Sequence, residues 1–308
     1  MIEINGISKS FGNTIALENI QSRIPDSSIF GLVGSNGAGK STLLRLIGGV
    51  YRPNSGNVLL DSIPVFNNPA AKRNIVSVAD EWYCLPQSNM RRMAKVYASV
   101  YPDFSFSRFE ELVGLFRLNP AAPLATFSKG MRRQASILLS LCCGAKVLLL
   151  DETFDGLDPV VRELVKRLLY MQMEQFQSTI IIASHSLREL EDTCDQLALL
   201  HQGGIVFESD IQNLKTSLFK VQIAFSEEFD RTVFRGDELV SFQKQGAVAM
   251  AIVRGDREEV RTRLYAKNPL LLEILPLSLE EVFVHEMDAL GYSFDQTLLG
   301  QEVRHETK

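Results

Sequence analysis

Eight consecutive residues, Gly34-Ser35-Asn36-Gly37-Ala38-Gly39-Lys40-Ser41, carry the spacing G-x-x-x-x-G-K-S. Glycines at these places let the backbone wrap so that successive N–H groups point inward at anionic oxygens. Lys40 then suits the β- and γ-phosphates of a nucleotide, and the Ser41 hydroxyl suits its Mg2+. The apolar run 29–33 precedes the loop. A helical pattern over 41–47 follows, closed by Gly48-Gly49. Strand, loop and helix in that order are what such a loop needs, because the helix N-terminus adds partial positive charge. A second set of candidates ends another apolar run, 147–150, in Asp151 and Glu152. Neighbouring strand residues face opposite sides, so the two carboxylates can do different jobs. Asp151 suits Mg2+ through its water shell. Glu152 is placed to polarise an attacking water. Together the two motifs indicate a P-loop nucleotide hydrolase.

These residues need a rigid frame, and the first two thirds of the chain supply one. Strand patterns at 73–79, 147–150 and 179–184 alternate with helical patterns at 131–143, 160–175 and 187–194. The stretch 90–118 has helical spacing and is dense in aromatics (Tyr97, Tyr101, Phe104, Phe106, Phe109, Phe116), read as core. A hairpin is predicted from 196–200 to 205–208 across Gln202-Gly203-Gly204. Buried strands separated by helices give an α/β domain with a largely parallel sheet. The character changes near 215–220. Strand patterns at 219–225, 239–244, 247–254 and 270–274 and helices at 257–266 and 279–290 follow. With a short helix within 227–234, the order is β-α-β-β-α-β, ferredoxin-like. The helix at 279–290 repeats apolar residues (Leu279, Val282, Phe283, Met287, Leu290) as a docking face on its own domain. Residues 295–308 read as a frayed tail.

The segment Phe127-Ser128-Lys129-Gly130-Met131-Arg132-Arg133-Gln134 says which kind of hydrolase this is; Ser128 stands 23 residues before Asp151. It resembles the signature motif of the ATP-binding cassette (ABC) ATPases, usually L-S-G-G-Q. Ser128 and Gly130 match the positions that contact a γ-phosphate in that family. Phe127, Lys129 and Met131 depart, in a form that looks like the S-K-G-M of a subgroup of bacterial transporter ATPases. Further landmarks fall in family order. Phe11, before Gly12, sits where the family stacks a ring on adenine. The run Phe154-Asp155-Gly156-Leu157-Asp158 resembles the loop that links two sites of a dimer, with Asp158 as the matching residue. His185, 33 residues after Glu152, resembles the switch histidine that contacts the γ-phosphate. The usual Gln, or in some subgroups an acid, falls at Asp80, where a carboxylate can bind Mg2+ or orient water; Glu81 beside it could substitute.

The resemblance implies a P-loop ABC fold over residues 1–215 with a helical subdomain at about 84–142, followed by a small α+β accessory or regulatory domain, 216–308. It implies ATP bound by Phe11, Gly34, Ser35, Asn36, Gly37, Ala38, Gly39, Lys40, Ser41 and Thr42, with Mg2+ at Ser41, Asp80 and Asp151. Glu152 and His185 are the implied catalytic pair. Ser128, Gly130 and Asp158 would act in trans, closing over ATP held by a second ABC subunit, the same chain or a related one. The implied function is an ATPase that powers a membrane transporter through transmembrane permease subunits. An exporter is favoured over an importer, and a soluble ABC ATPase acting on translation or DNA is the remaining alternative.

Composition narrows the classes. Apolar residues are 45% and charged residues 22% of 308, which excludes wholesale disorder. The four cysteines (Cys84, Cys142, Cys143, Cys194) lack metal-ligand spacing and read as free buried thiols. No leader-like stretch opens the sequence, and no apolar run approaches the ~18 residues of a membrane span. The chain is therefore expected to be cytosolic or peripheral, and the resemblance implies the cytoplasmic face of the membrane, held by permease partners. The net charge is −5. Residues 220–308 hold 11 basic and 16 acidic residues, which accounts for all of it, while residues 1–219 balance at 21 each. A chain without basic excess is not expected to bind nucleic acid.

Overall fold

The computed structural model describes residues 1–289 and divides the chain into two compact units, Met1–Ser209 and a second that begins at Asp210. In chain order the first unit contains β1 (Ile2–Phe11), β2 (Thr14–Ile24), β3 (Ile29–Val33), α1 (Lys40–Ile47), β4 (Ser55–Leu60), β5 (Ile63–Pro64), α2 (Pro69–Lys72) and β6 (Ile75–Val78). It continues with α3 (Met90–Val100), α4 (Phe106–Phe116), α5 (Lys129–Leu141), β7 (Val147–Asp151), α6 (Pro159–Phe176), β8 (Thr179–Ser184), α7 (Leu187–Glu191), β9 (Gln196–His201) and β10 (Gly204–Asp210), whose last residue opens the second unit.

A six-stranded sheet runs in the order β10-β9-β3-β8-β7-β6. The pairs β9–β3, β3–β8, β8–β7 and β7–β6 are parallel. Every residue of β3, β7 and β8 is buried, as expected for strands covered on both faces. Their register brings the C-terminal ends level: Val33 pairs with Ser184, and Asp151 with Ala183. The residues that follow, Gly34, Glu152 and His185, therefore emerge at one edge of the sheet, where open α/β sheets place their ligands.

A second, four-stranded antiparallel sheet has the order β2-β1-β4-β5. One hydrophobic cluster joins it, through Ile4, Ile7 and Leu17, to α1 and the parallel sheet. The sequence pattern hides this sheet. The β1–β2 register slips between Ile4 and Ile7, between Ile7 and Lys9, and between Lys9 and Ser10, which breaks the two-residue alternation. Other differences have local causes. The helical stretch 90–118 is two helices, because Tyr101 precedes Pro102 and is extended, and Ser105 then caps α4 through the Arg108 N–H at 3.2 Å. Of its aromatics, Phe104, Phe109 and Phe116 are buried, but Phe106 is half exposed. Helix α5 begins at Lys129 rather than 131 because Ser128 is its cap.

The second unit holds α8 (Ile211–Ser217), β11 (Leu218–Ala224), β12 (Glu238–Gln245), β13 (Val248–Arg254), α9 (Arg257–Tyr265), β14 (Leu271–Pro276) and α10 (Leu279–Ala289). Its sheet runs β12-β13-β11-β14, all antiparallel. That is the ferredoxin-like order. The helix expected within 227–234 is reduced to one 3-10 turn, Arg231–Phe234, and Phe234 fills the core with Phe219 and Val260. Leu279 and Val282 of α10 are buried. Leu290 and the tail 295–308 lie outside the described residues.

Candidate functional site

The loop 34–39 owes its path to two glycines. A Cβ on Gly34 would stand 2.3 Å from the Leu200 carbonyl oxygen. Gly39 caps α1 in a left-handed conformation, φ 109°, and a Cβ there would meet the Ala16 oxygen at 2.7 Å. No side chain caps α1, so its first N–H groups face the loop as an anion site. Ser35, Asn36 and Gly37 are exposed at the rim, Ala38 is buried, and Ser41 and Thr42 are half-buried in the first turn.

Lys40 is buried, at 6% exposure. Its ammonium donates to the carbonyls of Gly34 at 2.7 Å and Ser35 at 3.3 Å and lies 3.3 Å from Glu152 Oε1. The other Glu152 oxygen, Oε2, is 2.8 Å from His185 Nδ1 and accepts from the His185 N–H at 3.4 Å. Glu152 thus stands between a fixed cation and an imidazole. Its backbone is left-handed, φ 47°, a conformation Glu rarely adopts.

Asp151, next to it, is buried. Burial pushes its carboxyl above the ordinary carboxylate range, while the neighbouring Ser41 hydroxyl pulls the other way. Its Oδ1 is buried with no hydrogen-bond partner. A buried carboxylate oxygen without a partner is costly unless a cation satisfies it. With the Ser41 hydroxyl alongside, this hard oxygen pair fits Mg2+, which takes most of its remaining ligands from water and phosphate. The described residues contain no cluster of three His, Cys, Asp or Glu that would hold a metal by themselves.

Asp80 follows β6 and reaches this group through a residue that sequence reasoning missed. Arg133, 4% exposed on α5, sends Nη2 to Asp80 Oδ1 at 2.6 Å. Its Nη1 donates to the Ala79 carbonyl at 3.2 Å and the Asp151 carbonyl at 3.4 Å. An arginine within the signature segment, inside the helix that the segment opens, was the available signal, because a buried guanidinium must be paired.

The remaining candidates form a separate group. Ser128 Oγ accepts from the Met131 N–H at 3.2 Å and so starts α5. Asp158 Oδ1 accepts from the N–H groups of Val160 and Val161, both at 3.0 Å, and starts α6. Lys129 pairs with Asp155 at 2.8 Å, and Gly130 lies against the Gly156 carbonyl. The signature segment is thereby tied to loop 154–158. Phe11 stands apart at the end of β1, 46% exposed, with its edge against Tyr51 at 5.3 Å and the Lys9 ammonium 5.1 Å from its ring.

Comparison with known proteins bears on the same segments. A family profile described as ABC transporter matches residues 17–155. Over 284 residues the chain is 28% identical to an ABC transporter ATP-binding protein (YtrB) of Bacillus subtilis, covering 92% of this chain and 97% of that one. It is 28% identical to a Nod factor export ATP-binding protein I of Mesorhizobium japonicum, covering 92% and 85%. It is 31% identical to a methionine import ATP-binding protein (MetN) of Protochlamydia amoebophila, covering 70% and 67%. Among solved structures, an ATP-binding subunit of an ABC transporter matches with a TM-score of 0.65 at 22% identity, covering 70% of this chain and 92% of that one. A dimeric post-hydrolysis state of an ATP-binding cassette, bound to ADP and Pi, matches with a TM-score of 0.63 at 20% identity, covering 68% and 99%.

Proposed function

This chain belongs to the ATP-binding cassette family, as the nucleotide-binding subunit of an ABC transporter, and from that premise we propose that it hydrolyses ATP with Mg2+ to power export through separate transmembrane permease subunits. The observation that carries this reading is Glu152, held between Lys40 and His185 beside the unpartnered oxygen of Asp151. Phe11 offers a half-exposed ring for adenine. The loop N–H groups from Gly34 to Thr42 cradle the phosphates, and Lys40 turns its ammonium from the loop carbonyls to the γ-phosphate. Ser41, Asp151 and Asp80 would hold Mg2+, which when bound would neutralise the charge that develops on the phosphates. Glu152 accepts the proton of the attacking water, and His185 holds both the Glu152 carboxylate and the γ-phosphate. Water oxygen bonds to the γ-phosphorus as the bridging bond to ADP breaks, so the catalysis is positioning plus electrostatic stabilisation.

Ser128, Gly130 and Asp158 act across a head-to-tail dimer with a second ABC subunit. Their place on helix N-termini beside loop 154–158 supports this. Export is supported by the S-K-G-M segment and by the Nod factor export relative. Import is the second reading, favoured by the 31% identity to a methionine import protein. Among the described residues no helix is long and apolar enough to cross a membrane, which fits attachment to the cytoplasmic face through permease partners. The second unit serves as an accessory or regulatory domain.

The test is a steady-state ATPase assay with size measurement. Glu152→Gln is expected to keep ATP binding, lose hydrolysis by at least about a hundredfold, and accumulate as a dimer with ATP and Mg2+. A monomer under those conditions overturns the head-to-tail dimer. Hydrolysis at the unsubstituted rate overturns the role of Glu152.

A further inference from the structure

The peptide unit that joins Asp151 to Glu152 is gripped at both ends. Its N–H donates to the Ala183 carbonyl at 2.9 Å. Its C=O accepts from Arg133 Nη1 at 3.4 Å. This peptide leads into the left-handed backbone of Glu152, and such a conformation persists only where its surroundings over-determine it. The same guanidinium also holds the Ala79 carbonyl and the Asp80 carboxylate. Strands β6 and β7 are neighbours, so Arg133 clasps two adjacent strand ends and the acid beyond one of them.

We propose that Arg133 is a positioning residue for hydrolysis: it fixes the strained peptide that aims the Glu152 carboxylate and ties the Asp80 segment to it. The planar fork of arginine reaches three acceptors at once, which a lysine ammonium on a flexible stem does not reproduce. Asp80, half exposed, supplies the opposite charge that lets the guanidinium stay buried. The inference rests on the ATPase reading, but it also predicts a signal independent of turnover. Trp82 is the single tryptophan of the chain and lines the same cleft as Asp80 and Arg133. Its indole N–H donates to Tyr97 Oη at 3.3 Å. When the clasp is cut, the Asp80 segment loosens and Trp82 gains water.

The experiment uses the full chain with Arg133→Met and Arg133→Lys. For Arg133→Met, kcat is expected to fall about tenfold to a hundredfold, with KM for ATP held within about threefold. Trp82 emission, read without nucleotide, is expected to shift to longer wavelength. Arg133→Lys keeps the buried charge and guards against a folding failure in the first variant. It is expected to show the same fall in kcat with a near-normal melting temperature. Full activity in the lysine variant overturns the proposal, as does an unshifted Trp82 emission in the methionine variant. A rise in KM alone also overturns it. If the unsubstituted chain does not hydrolyse ATP, the ATPase reading fails, while the nucleotide-free emission of Trp82 still decides the role of Arg133.

Discussion

At the scale of single residues, Glu152 is used twice: one oxygen steadies Lys40 and the other meets His185. The two contacts separate binding from chemistry. Lys40→Ala removes the cation proposed to face the phosphates, and nucleotide binding is expected to be lost in an equilibrium titration. His185→Ala leaves Lys40 in place. Its KM for ATP is expected to change little, while kcat falls by about a hundredfold. The cysteines give a residue-level check on the core. Burial pushes the Cys142 thiol up to about 12 and the Cys143 and Cys194 thiols also upward. A thiol kept protonated is a poor nucleophile. Iodoacetamide on the native protein, read by mass spectrometry, is expected to modify Cys84, the half-buried one, and to spare the other three.

Elements were legible in proportion to how regular their patterns are. The strands that end at Val33, Asp151 and Ser184 are fully buried and read as apolar runs, so the site edge of the sheet was visible in the sequence. The antiparallel sheet was not, because bulges in β1 shift the alternation partway along. The break between α3 and α4 had a local signal at Pro102 that helical spacing overrode. Arg133 was hidden for a different reason: its three acceptors come from two distant segments that only the folded sheet brings together. Caps were legible but unread. Ser278 and Glu281 form a reciprocal capping box at the start of α10, with Ser278 N–H to Glu281 Oε2 at 3.0 Å and Glu281 N–H to Ser278 Oγ at 3.3 Å. Lys220, 2.8 Å away, and the Ser278 N–H hold the Glu281 carboxyl below its ordinary 4.5. A depressed carboxyl stabilises the fold above its unfolded-state pKa and loses that contribution as pH falls through the folded-state value. Glu281→Gln is therefore expected to cost about 0.5 kcal/mol at neutral pH. The gap should close below pH 4.5, as read from melting curves across pH. The cap of α4 is a second element-level test: Ser105→Ala is expected to cost about 1 kcal/mol in denaturant unfolding.

At the scale of the whole molecule, the chain is a charge-balanced nucleotide unit followed by an acidic one. All the residues proposed to bind ATP lie in the first unit. A fragment of residues 1–209 is expected to bind nucleotide with the affinity of the full chain; a loss of binding would assign the second unit a part in the site. The Ser128 hydroxyl has a consequence for assembly. A hydroxyl can both give and receive a hydrogen bond. At the start of α5 one of its two lone pairs is taken by the Met131 N–H, which leaves its proton to be offered outward. Capping thus weights the group toward giving, and on the dimer reading that suits an anion held by the second subunit better than a cationic surface. In the proposed head-to-tail dimer, two copies would gain most from this group when each carries a phosphate for the other. On the proposed dimer, association would then require both nucleotides, and release of phosphate from either side would weaken it.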